Sequence, residues 1–129
     1  MSIKQTILVV DDEQSVRDAL TLELEASYDV LVACDGIDAI RIYDRNVERV
    51  AAIVTDLNMP RLSGQLVAEW VHHIRPHLPV VIMSGSICNT ELEDLLQSPT
   101  VSFLSKPFEP LELELLLSLV LEKRQDQAA

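Results

Sequence analysis

The chain has 129 residues, of which 48% are hydrophobic, and carries a formal net charge of −11. This length suits one domain with one core, and so acidic a chain does not bind a nucleic-acid backbone by itself. No apolar run reaches the ~18–20 residues that cross a bilayer, and the first residues lack the features of a secretory signal. We therefore expect a soluble, cytoplasmic protein that contacts neither nucleic acid nor membrane directly.

The first β-branched run, at 6–10, predicts a strand buried on both faces, and an amphipathic stretch at 13–27 follows it as a helix. The same alternation then repeats to the end of the chain. We expect strands at 6–10, 28–33, 50–55, 79–84 and 101–105, and helices at 13–27, 37–46, 65–74, 89–97 and 109–124. Five such units predict an α/β domain whose parallel strands are joined by right-handed crossovers and covered by helices on both faces.

The predicted domain occupies residues 1–124, and the polar residues 125–129 form a frayed tail. Its two cysteines, Cys34 and Cys88, lie far apart and outside any CxxC or Cys/His spacing, which argues against a zinc site. Free cysteine is among the most buried residue types. The sequence therefore predicts two free, buried thiols.

The last predicted helix is richer in leucine than one buried face requires. At ~100° per residue, Glu114, Ser118 and Glu122 form a narrow polar stripe. Apolar residues cover roughly two-thirds of the circumference, namely Leu113, Leu115, Leu116, Leu117, Leu119, Val120 and Leu121. This surplus indicates either a broad core stripe or a surface for a partner, a second copy or a following domain.

Polar side chains follow four of the predicted strands. Asp11 and Asp12 follow the first, Asp56 the third, Ser84 ends the fourth, and Lys106 follows the fifth. In open parallel sheets the functional groups collect at the carboxyl ends of the strands, beside the topological switch point. We therefore expect these side chains to share one edge of the sheet.

A cluster of carboxylates at this edge predicts a magnesium site. Carboxylates held together repel one another, which raises a pKa or recruits a cation. Mg²⁺ takes oxygen ligands, whereas the absence of flanking His or Cys argues against zinc or copper. The expected ligands are Asp11, Asp12, Asp56 and the backbone carbonyl of Asn58.

A carboxylate beside Mg²⁺ can also attack phosphorus and form an acyl phosphate. The transition state of phosphoryl transfer spreads charge over its equatorial oxygens, so a cation and a hydrogen-bond donor stabilise it. The sequence predicts Asp56 as the nucleophile, Lys106 as the cation and Ser84 as the donor.

Four motifs carry a family resemblance: ILVVDDE (7–13), DLNMPRLSG (56–64), VVIMSGS (80–86) and FLSKPF (103–108). With these motifs in this order, the chain resembles the receiver domain of two-component response regulators over roughly residues 5–123. The resemblance implies a doubly wound (βα)5 fold with the flavodoxin-like strand order 2-1-3-4-5. It also implies that Asp56 accepts a phosphoryl group from a histidine kinase or histidine phosphotransfer protein.

The resemblance further implies that Asp12 binds Mg²⁺ directly and Asp11 largely through water. Ser84 would be the switch hydroxyl and Phe103 the aromatic switch that rotates when Ser84 moves. Output would pass to a partner or a second copy through the face formed by the fourth helix, fifth strand and fifth helix. The domain would assist its own phosphorylation and dephosphorylation, with no separate substrate.

The resemblance also implies that the peptide bond between Lys106 and Pro107 is cis. Two residues have plainer alternatives. Asp12 could only cap the first helix, since Asp is a favoured N-cap, and Phe103 could only be a core residue of the fifth strand.

Other functions remain open on the sequence alone. A Mg²⁺-dependent phosphatase with an aspartyl nucleophile needs a second Asp two residues later, where this chain has Asn58. A flavodoxin-type binder needs a phosphate-cradling loop after the first strand, which is missing here. The chain could also be the receiver part of a hybrid kinase or of a multidomain regulator.

Overall fold

Five strands and five helices alternate in the computed structural model. The structure describes residues 4–85 and 90–128, and the side chains of 90–92 and 123–128 are not described. The strands are β1 (Thr6–Val10), β2 (Asp29–Ala33), β3 (Val50–Asp56), β4 (Val80–Ser84) and β5 (Val101–Ser105). The helices are α1 (Gln14–Leu24), α2 (Gly36–Arg45), α3 (Gly64–Ile74), α4 (Thr90–Leu96) and α5 (Pro110–Ala128).

The strands form one parallel sheet in the order β2-β1-β3-β4-β5, which confirms the predicted fold. Its two faces are covered by separate hydrophobic clusters. One cluster packs the sheet against α2, α3 and α4, and the other packs it against α1 and α5. Burial on both faces explains why the central strands are continuous apolar runs.

The register of the sheet brings the predicted site residues to one edge. Val10 pairs with Thr55, so the residues that follow β1 lie beside the end of β3. Ser84 at the end of β4 pairs with Ser105 at the end of β5. The carboxyl ends of four adjacent strands therefore meet at this edge.

Two helices end more than one residue away from the predicted position. Helix α1 ends at Leu24, because the chain turns at 25–27 and the N–H of Tyr28 donates to the carbonyl of Leu24. Helix α5 continues to Ala128, and residues 125–128 contain no Gly or Pro that would end it. The domain boundary at residue 124 stays a prediction. Among the described residues, no helix is both long and apolar enough to cross a membrane.

The prediction of a buried thiol is wrong for Cys34, which is free and exposed. It follows the last residue of β2, and β2 lies at the edge of the sheet, where no further strand covers it. Its backbone N–H donates to Oδ2 of Asp38 at 3.1 Å. Cys88 lies outside the described residues.

The surplus leucines of α5 divide between core and surface. Leu113, Leu117, Val120 and Leu121 are buried against the sheet. A second set of leucines is 58–59% exposed and recurs every fourth residue along the helix, namely Leu111, Leu115 and Leu119. Because this set lies opposite the buried one on the helix, a broad core stripe does not account for it.

Candidate functional site

Three carboxylates meet where β1 and β3 end. Asp11 follows β1 directly, Asp12 comes next, and Asp56 is the last residue of β3. One oxygen from each side chain lies within 4.8 Å of the other two. Asp11 and Asp56 are buried, whereas Asp12 is exposed, so the cluster is open to solvent on one side. The structure thus brings together the carboxylates that the sequence predicts.

Lys106 is the cation of this site. Its Nζ lies 3.0 Å from Oδ1 of Asp56 and 3.6 Å from Oδ2 of Asp11. Its backbone N–H donates to the carbonyl of Ser84 at 2.8 Å, which fixes the start of the loop after β5. The peptide bond to Pro107 is cis, as the resemblance implied. One ammonium group therefore bridges the ends of β1 and β3.

Burial and like charge decide the ionisation of the site. Burial raises the pKa of the Asp11 carboxyl, and the charge of Asp56 adds to this, although the N–H of Glu13 and the Lys106 ammonium oppose it. Burial alone would lower the pKa of Lys106, but the hydrogen bond and charge of Asp56 and the charge of Asp11 raise it. Lys106 is therefore protonated at neutral pH, while the carboxylates outnumber it.

The environment of the Asp11 carboxylate indicates whether the three carboxylates fit a metal ion. Oδ1 of Asp11 accepts the N–H of Glu13 at 2.9 Å. Oδ2 is buried and has no hydrogen-bond partner among the described residues, since Lys106 is beyond hydrogen-bond distance. An ionised oxygen without a donor is costly, and a hard cation would satisfy it. The oxygen-only donors of Asp11, Asp12 and Asp56 fit a divalent ion such as Mg²⁺.

Close backbone packing holds Asp56 in place. A Cβ added to Gly64 would lie 2.0 Å from the carbonyl oxygen of Asp56, so only glycine permits this approach. The same carbonyl accepts the Thr55 hydroxyl at 3.0 Å. The N–H of Gly64 donates to the carbonyl of Leu57 at 2.9 Å and closes the loop 57–63.

The other predicted residues lie at this edge or beside it. Ser84 ends β4 and is 2% exposed. Asn58 is exposed in the loop after β3, and the role of its carbonyl as a ligand stays a prediction. Phe103 pairs with Ile82 in the middle of β5 and is half-buried against the cluster on the α3 and α4 side. Its switching role stays a prediction.

The capping alternative for Asp12 is wrong. Glu13 occupies the N-cap position of α1, and no side-chain hydrogen bond caps the helix there. Asp12 is exposed beside Asp11 and Asp56 instead. Its geometry is that of a possible metal ligand.

Sequence reasoning did not single out an ion pair that joins the loop after β3 to the start of α2. Oδ2 of Asp35 lies 3.1 Å from Nη1 of Arg61, which joins the start of α2 to the loop 57–63. Asp35 also caps α2, because its Oδ1 accepts the N–H of Asp38 at 2.8 Å. The capping role is readable from an Asp that precedes a helix. Nothing in the sequence indicates that Arg61 is its partner.

Known proteins share both the sequence pattern and the fold. The chain is 34% identical over 127 residues to the probable transcriptional regulator ycf27 of Porphyridium aerugineum, covering 98% of this chain and 51% of that protein. It is 29% identical over 126 residues to the alkaline phosphatase synthesis transcriptional regulatory protein PhoP of Bacillus subtilis, covering 95% and 51%. The chain thus spans about half the length of these relatives.

Solved structures of response regulators have a similar fold. The chemotaxis protein CheY4 of Vibrio cholerae superposes with a TM-score of 0.81 at 26% identity, covering 92% of this chain and 99% of that one. A response regulator receiver domain from Clostridium thermocellum has the same fold, with a TM-score of 0.85 at 24% identity over 94% and 97% of the two chains. The family model of the response regulator receiver domain matches residues 7–118. The chain therefore belongs to the receiver domains of two-component response regulators.

Proposed function

We propose that this domain is a phosphorylation-driven switch of a cytoplasmic phosphorelay in which Asp56 accepts the phosphoryl group. The observation that carries the proposal is the 3.0 Å contact between Nζ of Lys106 and Oδ1 of Asp56, next to Asp11 and Asp12. A carboxylate paired with a cation, and set among groups suited to a divalent ion, is what phosphoryl transfer to an aspartate requires.

The proposed donor is a histidine kinase or a histidine phosphotransfer protein. An oxygen of Asp56 attacks the phosphorus of the donor phosphohistidine and forms a P–O bond. The P–N bond breaks, and the histidine nitrogen keeps its electron pair. Lys106 stabilises the negative charge of the phosphoryl oxygens in the transition state. Hydrolysis of the acyl phosphate by water later restores Asp56, so no separate substrate is involved.

We assign Mg²⁺ to the carboxylate cluster. Asp12 would bind it directly and Asp11 largely through water, with Asp56 and the backbone carbonyl of Asn58 as further ligands. When bound, Mg²⁺ neutralises negative charge at the phosphoryl oxygens. The buried Oδ2 of Asp11, which lacks a hydrogen-bond partner among the described residues, supports this assignment.

The switch begins at Ser84. A phosphoryl group adds about −1.5 to −2 charge at Asp56, which attracts hydrogen-bond donors. Ser84 is buried at the end of β4, and its carbonyl is hydrogen-bonded to the N–H of Lys106. In the proposal its hydroxyl moves toward the phosphoryl group, Phe103 rotates, and the equilibrium between two forms of the α4–β5–α5 face shifts.

The exposed stripe of Leu111, Leu115 and Leu119 supports α5 as part of the output surface. Glu112 and Glu122 are exposed on the same helix. Charge complementarity therefore favours an apolar partner segment flanked by Lys or Arg over a second copy of this acidic chain. Light scattering across a dilution series tests this choice. A monomer at every concentration fits it, whereas a dimer that Leu115→Glu dissociates would overturn it.

Phosphorylation itself is tested with acetyl phosphate and Mg²⁺, followed by intact-protein and peptide mass spectrometry. We expect a gain of one phosphoryl group on the peptide that contains Asp56, and no gain in Asp56→Asn. Omission of Mg²⁺ should abolish the gain. A wild-type protein that stays unmodified, or an Asp56→Asn variant that is modified as fast as wild type, would reject the proposal.

A further inference from the structure

The loop after β3 contains a strained turn at Arg61. Among residues 4–85 and 90–128, Arg61 is the one non-glycine residue with a positive φ, at 70°. The N–H of Leu62 donates to the carbonyl of Pro60 at 2.8 Å, which closes a three-residue turn around Arg61. A γ-turn with positive φ is rare and strained for a residue that has a Cβ. Such a conformation persists only where the surrounding structure holds it.

Asp35 supplies one of these restraints. Asp35 is 5% exposed, and buried charges are normally paired. One oxygen caps α2 by accepting the N–H of Asp38, and the other lies 3.1 Å from Nη1 of Arg61. The Arg61 guanidinium is therefore paired with a carboxylate that is itself held at the first turn of α2.

Backbone contact supplies a second restraint at the same place. A Cβ added to Gly36 would lie 2.3 Å from the carbonyl oxygen of Leu62, the residue after Arg61. The loop therefore presses directly on the start of α2. The ion pair between Asp35 and Arg61 spans this contact, so the two restraints act on adjacent residues.

The restrained turn lies in the loop that begins at the proposed phosphoacceptor. At the start of the loop, the N–H of Leu57 donates to the carbonyl of Met83 in β4. At its end, the N–H of Gly64 donates to the carbonyl of Leu57. With both ends fixed, the path of the intervening residues, Asn58 included, depends on the turn at Arg61.

We propose that Asp35 and Arg61 are a positioning pair that holds this loop in the form that accepts metal and phosphoryl group. The inference rests on the proposed function of Asp56, and neither residue touches the reacting atoms. The pair sets where the Asn58 carbonyl lies relative to the carboxylates. Loss of either charge lets the turn relax, which weakens metal binding and slows phosphorylation without unfolding the domain.

Three variants isolate the ion pair. Arg61→Gln removes the charge but keeps a Cβ at the positive φ, so the strain that the ion pair restrains is retained. Asp35→Asn keeps an oxygen that can cap α2 and removes the charge. The double variant tests coupling. Arg41→Gln is the matched control, since Arg41 pairs with Asp38 on the same helix and lies outside the loop.

Calorimetry gives the Mg²⁺ dissociation constant, acetyl phosphate gives the rate of acyl phosphate formation, and the fluorescence of Trp70 gives the unfolding midpoint. We expect each single variant to weaken Mg²⁺ binding and to slow phosphorylation by up to about fivefold, the upper range of one lost exposed ion pair. The double variant should be no slower than the singles, because they remove the same contact. Arg41→Gln should match wild type.

Two results would overturn the positioning role. One is that Arg61→Gln and Asp35→Asn both equal wild type in Mg²⁺ affinity and phosphorylation rate. The other is that their effects multiply in the double variant. A wild-type protein that binds Mg²⁺ but takes no phosphoryl group would instead reject the proposed function. In that case the Mg²⁺ affinities of the same variants still decide the positioning role.

Discussion

The residues that follow β3 and β4, here called the β3 exit and the β4 exit, lie side by side at the same edge of the sheet. They differ in how closely they are packed. At the β3 exit, Gly64 is so close to Asp56 that an added Cβ would lie 2.0 Å from its carbonyl oxygen. At the β4 exit, Gly85 is exposed, and no described atom lies within 4 Å of an added Cβ. One glycine is required by a close approach, whereas no described atom crowds the other.

This difference agrees with the proposed roles of the two neighbouring residues. Asp56, the proposed acceptor, is held by backbone contacts that leave no room for adjustment. Ser84, the proposed switch hydroxyl, is followed by Gly85, where an added Cβ would meet no atom of the described residues within 4 Å. A nucleophile gains from a fixed position, while a switch needs room to move. Three substitutions test this difference between the ends of β3 and β4.

The largest effect is expected from Gly64→Ala. Its Cβ would meet the backbone of Asp56, which cannot rotate aside as a side chain can, so β3 and α3 must separate. We expect a loss of about 2–4 kcal/mol in unfolding free energy. Urea denaturation followed by the fluorescence of Trp70, the single tryptophan, measures it. Unfolding at the wild-type midpoint would mean that the β3 exit is not tightly packed.

An intermediate effect of opposite sign is expected from Asp11→Asn. If packing and not charge fixes the β3 exit, removing a buried carboxylate that is repelled by Asp56 should stabilise the metal-free protein at pH 7. Burial is the main reason why the pKa of Asp11 is raised. The expected gain is about 1 kcal/mol. A loss of stability would show instead that the ion pair between Lys106 and Asp11 holds this edge together.

The pH dependence of this gain follows from the sign of the shift. Because the pKa of Asp11 is higher in the folded state than the ordinary value of 3.8, the folded state binds the proton more tightly. This contribution to stability is present below pH 3.8 and is lost as the pH rises through the folded pKa. The advantage of Asp11→Asn should therefore grow from pH 3.8 upward. Mg²⁺ should stabilise wild type more than the variant, since the metal loses a ligand.

The fold was largely predictable from the sequence. The buried runs of β1, β3 and β4 are almost wholly apolar, so their pattern is unambiguous, and alternation with helices leaves few topologies. The prediction failed where local pattern carries no information. Residues 25–27 include no Gly or Pro, so the early end of α1 was missed. The exposure of Cys34 depends on β2 lying at the sheet edge.

The residues of the site could be predicted from the sequence, but the contacts that hold them in place could not. Parallel strands bring their ends together, so Asp11, Asp56 and Lys106 could be placed from their positions alone. The contact between Arg61 and Asp35 could not, because it joins two loops 26 residues apart and involves a positive φ at a residue that is not glycine. Such contacts depend on tertiary structure that no local pattern encodes.

The smallest effect is expected from Gly85→Ala. No described glycine has a positive φ, so alanine can adopt the backbone of Gly85 without strain. Its Cβ meets no described atom within 4 Å, and alanine restricts the unfolded chain more than glycine does. We expect a gain of about 0.4–1 kcal/mol in urea denaturation and unchanged phosphorylation of Asp56 by acetyl phosphate. Destabilisation as large as that of Gly64→Ala would mean that the β4 exit is as tightly packed as the β3 exit, and the contrast between the two exits would then fail.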